Sequence, residues 1–200
     1  MQICKLQFGV VSLSFTVFKT QNMKILVIGG SNSKNSINRQ LANFAATLFD
    51  NADITSVDIS QMDLQLYSID RETENGIPTL VADFANHIDE TDLIILSLAE
   101  NNSSFNVGLK NLLDWTSRIK DRKTFAGKPM LLMATSPGAR GGKTVLESGK
   151  TLFPYSGAEI LATFSLPNFY QNFELEKGIH NETILEELKN ITADIQKRLA

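Results

Sequence analysis

Three short segments carry the residue types that would handle a phosphate-bearing ligand. The first reads Gly29-Gly30-Ser31-Asn32-Ser33-Lys34-Asn35-Ser36-Ile37-Asn38-Arg39. Its glycines permit tight turns and close backbone approach. Serine hydroxyls and backbone N–H groups can surround an anion, and a helix beginning there points its positive end at it. No Asp or Glu interrupts the run. It is not a Walker A loop, because no Gly-Lys-Ser/Thr closes it, and it lacks the G-x-G-x-x-G spacing of dinucleotide enzymes. A plain Ser/Asn-rich turn with Ser36 as a helix N-cap would use the same residues, so position in the fold must decide. The second segment, Ala99-Glu100-Asn101-Asn102-Ser103-Ser104-Phe105-Asn106-Val107-Gly108-Leu109-Lys110-Asn111, can line the edge of a flat heterocycle, with Phe105 as an apolar wall. It is equally compatible with a mobile turn before a helix cap. The third, Ser136-Pro137-Gly138-Ala139-Arg140-Gly141-Gly142, holds three glycines in seven residues, more than a simple turn between elements requires.

The elements that must position these segments follow from the apolar pattern. Lys24–Ile28, Leu93–Leu98 and Met130–Ala134 are short apolar runs, as strands buried on both faces should be. Ile54–Ile59 is more polar and predicts a strand near a sheet edge, and Ile160–Leu166 is a fifth strand. Helical spacing appears in Ile37, Leu41, Phe44, Ala45 and Leu48, and again in Ile77, Val81, Phe84 and Ile88 behind Pro78. It recurs in Leu109, Leu112, Leu113, Thr116 and Ile119, then in Val145, Leu146, Gly149, Leu152 and Phe153 ahead of Pro154. A last helix carries Ile184, Leu188, Ile191, Ile195 and Leu199. Gln61–Gly76 reads as polar and irregular, and a loop rich in Phe, Tyr and Asn precedes the last helix. Five strands, each followed by a helix, predict an α/β fold: a three-layer, doubly wound, five-stranded parallel sheet. In such sheets ligands bind beyond the carboxyl ends of the strands, at the switch in strand order. The three segments follow strands one, three and four, so they meet at that end.

Composition narrows the chemistry. The chain has 200 residues, 42% hydrophobic and 20% charged, which suits one folded domain. A net charge of −3 gives no electrostatic case for nucleic acid or an anionic membrane. One cysteine, Cys4, excludes an internal disulfide and a Cys-based cluster, and the two histidines, His87 and His180, lie far apart. No metal site is expected. The apolar run Phe8–Phe18 is too short to span a membrane, and no small-x-small cleavage site follows it. Residues 1–22 are therefore read as an extension, and 23–200 as the domain of a cytoplasmic protein.

The three segments, in order and spacing, resemble the NADPH-dependent FMN reductase family, with its azoreductase-like, quinone reductase-like and chromate reductase-like members. The first family segment reads Gly-Ser-x-Arg-x-x-Ser-x-Asn-Arg, and Gly30 to Arg39 matches it except that Ser33 stands where Arg is usual. Of the second, the chain keeps Glu100, Asn102, Ser104, Leu109-Lys110-Asn111 and Asp114-Trp115, with Ala99 for Pro, Asn101 for Tyr and Ser103 for Gly. The third segment, from Gly127-Lys128-Pro129 to Gly141-Gly142, is close. The resemblance implies a flavodoxin-like fold with strand order 2-1-3-4-5 and FMN as cofactor. It implies that Ser31, Ser33, Ser36, Ile37 and Asn38 bind the FMN phosphate. Glu100, Asn101, Asn102 and Ser103 would lie along the isoalloxazine, and Ser136, Gly138, Gly141 and Gly142 would close over the ring or its ribityl chain. Hydride would come from NADPH or NADH, with a quinone, azo compound or second flavin as acceptor. No catalytic acid–base pair is expected, because the cofactor carries the chemistry. Arg39, Arg118 and Arg140 are candidates for the NADPH phosphates, and Trp115 is expected in the core or a subunit interface. The family further implies a homodimer or homotetramer. An FMN-holding electron carrier without efficient NADPH turnover is the alternative.

Overall fold

A computed structural model describes residues 22–200. The extension assigned to 1–22 lies, apart from Asn22, outside the described residues, as does Cys4.

The chain alternates strand and helix. β1 (Met23–Gly30) leads into α1 (Ile37–Ala46), and β2 (Ala52–Val57) follows. Then come α2 (Ile69–Asn75), α3 (Thr79–Glu90), β3 (Leu93–Leu98) and α4 (Val107–Thr116). The chain continues with β4 (Pro129–Thr135), α5 (Lys143–Leu152), β5 (Glu159–Leu166), the single turn α6 (Phe169–Asn172) and α7 (Glu182–Leu199). The five long strands form one parallel sheet in the order β2-β1-β3-β4-β5. That is the 2-1-3-4-5 order expected of a flavodoxin-like fold. β2 is one of the two edge strands and is largely exposed, as its polar residues require.

Strand alternation sends successive side chains to opposite faces, so the sheet has a core on each side. One core packs Leu26, Ile28, Ile94, Leu96, Met130 and Leu132 against Phe84, Ile88, Leu112 and Leu146 of α3, α4 and α5. The other packs Ile25, Val27, Ile95, Leu131 and Met133 against Leu41 and Ala45 of α1 and Leu188 and Ile195 of α7. β3 is buried at every position, which explains why its run is unbroken.

Two regions are more ordered than the sequence suggests. The stretch 61–76 contains α2, capped by the Ser68 side chain on the Arg71 N–H. Pro78 is the N-cap of α3 rather than a first-turn residue. The Phe/Tyr/Asn loop forms α6 and a small antiparallel pair, Phe173–Glu174 with Gly178–Ile179. Its aromatics complete the α1 core: Phe169 stacks on Phe173 at 4.7 Å, and Phe173 meets Phe44 edge-on at 5.7 Å.

Candidate cofactor site

The loop between β1 and α1 is held by its own hydroxyls. Ser31 Oγ accepts the Ser33 N–H at 3.2 Å, Ser33 Oγ accepts the Asn35 N–H at 3.3 Å, and Ser36 Oγ caps α1 on the Arg39 N–H at 3.1 Å. Each hydroxyl has one O–H to donate as well as lone pairs to accept. All three are accepting from the chain, and among the described residues none donates to a protein acceptor. Among the described residues the backbone N–H groups of Lys34, Ser36, Ile37 and Asn38 also lack protein acceptors. The last two are first-turn donors of α1, where the helix dipole favours an anion. The loop thus presents hydrogen-bond donors, with no carboxylate among its own residues, and fits a phosphate.

The residues after β3 form a two-residue hairpin, Glu100–Asn101 paired with Ser104–Phe105. Asn102 and Ser103 at its tip both have positive φ, 50° and 60°, the geometry of a type I′ turn. The Asn101, Asn102 and Ser103 side chains are exposed. Phe105 is half-buried: it stacks on Phe153 at 5.4 Å and packs on the core beneath. The loop after β4 is fastened to the end of β5, with Gly138 O accepting the Asn168 N–H at 3.0 Å and Gly141 O the Ser165 hydroxyl at 3.0 Å. A Cβ built on Gly138 meets nothing within 4 Å, so that backbone is open to a ligand. Ser136 accepts the Phe169 N–H through its carbonyl and turns its hydroxyl to Gly138 O at 3.2 Å.

Side chains tie the three loops into one surface. Glu100 Oε2 accepts the Val145 N–H at 3.0 Å. It thereby caps α5, whose own N-cap residue, Gly142 at φ 74°, offers no side chain. Asn106 Oδ1 caps α4 on the Gly108 N–H at 3.0 Å and also accepts the Asn32 N–H at 3.2 Å. Its Nδ2 donates to Asn32 Oδ1 and Asn101 Oδ1, both at 3.0 Å. Asn38, 3% exposed, points inward. Its Oδ1 accepts from Ser97 Oγ at 2.7 Å and the Thr135 N–H at 3.0 Å, and its Nδ2 donates to Thr135 O at 3.2 Å. The Asn38 side chain is therefore committed to joining α1 to the ends of β3 and β4, and among the described residues only its backbone N–H is left unpaired toward the loop.

Residues 23–171 match the family model described as NADPH-dependent FMN reductase. The chain belongs to this family. It is 32% identical over 123 residues to a quinone reductase of Escherichia coli (strain K12), a match covering 62% of this chain and 65% of that protein. It thus spans just under two thirds of that relative. An NADPH:quinone oxidoreductase of Arabidopsis thaliana is 29% identical over 184 residues, covering 87% of this chain and 90% of that protein. Among solved structures, the flavoenzyme NAD(P)H:(acceptor) oxidoreductase FerB from Paracoccus denitrificans superposes with a TM-score of 0.72 at 22% identity, covering 88% of this chain and 97% of that one. That likeness shows the fold.

In this FMN reductase family member, Asn111 and Trp115 of the Leu109-Lys110-Asn111 and Asp114-Trp115 motifs hold a wall beside the β1–α1 loop, while Lys110 pairs with Asp114 on the surface. Asn111 Oδ1 accepts the Tyr67 N–H at 2.8 Å, and its Nδ2 donates to Leu64 O at 3.3 Å and Gln65 O at 3.1 Å. Trp115, 2% exposed, donates its indole N–H to Gln65 O at 2.8 Å. The segment so held borders a cavity of about 150 Å³ lined by Asn32, Met62, Leu64, Leu66 and Val107. Two of the three arginine candidates are engaged elsewhere. Arg39 binds Lys34 O at 2.7 Å and pairs with Asp58. Burial of Asp58 works to raise its pKa, but hydrogen bonds from Ser60 and the Arg39 charge outweigh it and hold the carboxyl below its ordinary value. Arg118 donates to Glu72 at 2.8 Å, which lowers the Glu72 pKa. Arg140 is exposed and meets the Thr144 hydroxyl at 2.5 Å, with no carboxylate partner among the described residues.

Proposed function

We propose that this chain is an NAD(P)H-dependent oxidoreductase that holds FMN across the three loops and passes electrons to a quinone. The observation that carries this reading is the carboxylate-free β1–α1 loop, with backbone N–H groups unpaired among the described residues, set beside an exposed hairpin and an open glycine backbone at one end of the sheet. Family membership and the quinone reductase names of its relatives support it. Ser31, Ser33 and Ser36 would give their O–H groups to the phosphate, and Ile37 and Asn38 their backbone N–H groups. Glu100, Asn101, Asn102 and Ser103 would line the ring, and Ser136, Gly138, Gly141 and Gly142 would cover it from the β4 side. When bound, FMN supplies the hydride and electron chemistry. The chain's part is to orient the ring, to offer backbone N–H groups where negative charge accumulates, and to leave one face open. Arg140, the candidate without a carboxylate partner, is the cation available to a nicotinamide dinucleotide phosphate. Azo compounds and free flavin are further acceptors to test. Assembly as a homodimer or homotetramer belongs to the same proposal, and the exposed Leu66 and Val107 beside the small cavity offer it apolar surface.

The test is flavin binding followed by turnover. FMN fluorescence should be quenched on titration with the protein, and the loaded protein should oxidise NADPH when benzoquinone is supplied. Flavin binding with no NADPH oxidation would leave an electron carrier, and failure to bind flavin would overturn both readings.

A further inference from the structure

Asn106 stands between the two loops assigned to opposite ends of the cofactor. It is 7% exposed, whereas its partners Asn32 and Asn101 are exposed. A carboxamide has two acceptor positions and two donor positions. Asn106 fills all four: Oδ1 takes the N–H groups of Asn32 and Gly108, and Nδ2 gives to Asn32 Oδ1 and Asn101 Oδ1. The amide orientation is dictated, because a flipped group would turn NH2 toward two N–H donors. Capping α4 needs only the Gly108 bond, which Ser, Thr or Asp would supply as well. The other three bonds serve a different purpose, and two of them need a donor that those residues cannot provide in this arrangement. Gly108 takes part too: a Cβ there would meet Asn32 Cβ at 2.8 Å, so only glycine lets the phosphate loop approach this closely.

We infer that Asn106 is a positioning residue for the cofactor, fixing the separation between the phosphate loop and the ring-side hairpin. This rests on the FMN reading above. It also gives a definite role to Asn101, which lacks the aromatic ring usual there, because its side-chain oxygen is the hairpin's end of the brace. A ligand that spans both loops gains from a preset separation, because the loops need not be brought into register on binding. A ligand that touches only the hairpin gains nothing.

FMN and riboflavin differ by the phosphate alone, so they separate these cases. In Asn106→Ser the cap is kept, the charge is unchanged and both bridges are lost. Unfolding of the cofactor-free protein should stay close to wild type. The FMN Kd, read by fluorescence quenching, should rise about tenfold, the scale of two weakened hydrogen bonds. The riboflavin Kd should stay within about twofold of wild type. Asn32→Ala, which keeps the backbone bond and removes one bridge from the other side, should shift FMN the same way and serves if Asn106→Ser folds poorly. Equal weakening of FMN and riboflavin, or an FMN Kd unchanged in both variants, would overturn the inference. A wild-type protein that binds neither flavin would overturn the FMN reading itself, and that outcome is visible before any variant is made.

Discussion

The buried carboxamide of Asn38 makes the sharpest test of how the site is built. Replacing it with Leu keeps the approximate volume and removes every hydrogen bond. Three partners are then stranded at the sheet end: the Thr135 N–H, the Thr135 carbonyl and the Ser97 hydroxyl, with Ser97 and Thr135 buried to 0% and 1% exposure. A buried polar group left without a partner costs roughly 1–3 kcal/mol. The Ser97 hydroxyl can rotate and a carbonyl tolerates partial satisfaction, so the three together should cost about 3–5 kcal/mol. With a urea slope of roughly 2 kcal/mol per molar, the unfolding midpoint should fall by about 1.5–2.5 M. The measurement belongs on cofactor-free protein. There a side chain that served only the phosphate would leave stability almost untouched, and one that joins α1 to β3 and β4 would not. Ser97→Ala removes one partner and should cost about 1 kcal/mol, and Asn38→Leu combined with Ser97→Ala should cost less than the two added, because fewer groups are stranded. A midpoint shift below about 0.5 M for Asn38→Leu would refute this account.

Ser103 holds φ 60° at the hairpin tip, where glycine is at ease and a side chain is not; Ser103→Gly should therefore stabilise the protein by about 0.5–1 kcal/mol, read as a higher thermal midpoint. The hydrogen bond from Arg118 leads in holding the Glu72 pKa below its ordinary value of 4.5. Its stabilisation is therefore present above that value and lost as pH falls through the lowered one. Glu72→Gln should flatten the acid limb of stability against pH, and an unchanged limb would count against the pairing. Ser33→Arg adds a second cation beside Lys34 in this loop, at the cost of the Asn35 N–H bond to the Ser33 hydroxyl. It should tighten FMN measured by fluorescence quenching, and flat or weaker binding would mean that the phosphate is held differently.

Much of this architecture is legible in the residues. The unbroken run Leu93–Leu98 is the strand buried at every position, and the polar run after Ala52 is an edge strand. Ser36 is the cap that its position before Ile37 predicts. What escapes a reading of the sequence depends on partners far along the chain. Asn38 looks like a loop ligand until Thr135, 97 residues away, closes on it. Asn106 sits in a segment that also reads as a turn before a helix, because its bond to Asn32 spans 74 residues. Phe105 looks available to a ligand because Phe153, which stacks on it, lies far along the chain at the C-cap of α5. Arg39 looks free because Asp58 follows the neighbouring strand. The short helix at Ile69–Asn75 is missed for a local reason: it buries none of its residues, so no apolar stripe announces it.

The grip of α4 on the 64–67 segment is made through main-chain atoms: Asn111 and Trp115 take the carbonyls of Leu64 and Gln65 and the N–H of Tyr67. These hydrogen bonds do not read side chains, although Leu64 also packs on the core and the Tyr67 ring meets Trp115 edge-on at 5.1 Å. Gln65 and Leu66, both exposed, can be exchanged while the wall beside the β1–α1 loop keeps its course, so variation next to the proposed cofactor site can be confined to positions that leave the scaffold intact. For protein engineering, those two positions are the natural library, with Leu64, Asn111 and Trp115 left unchanged.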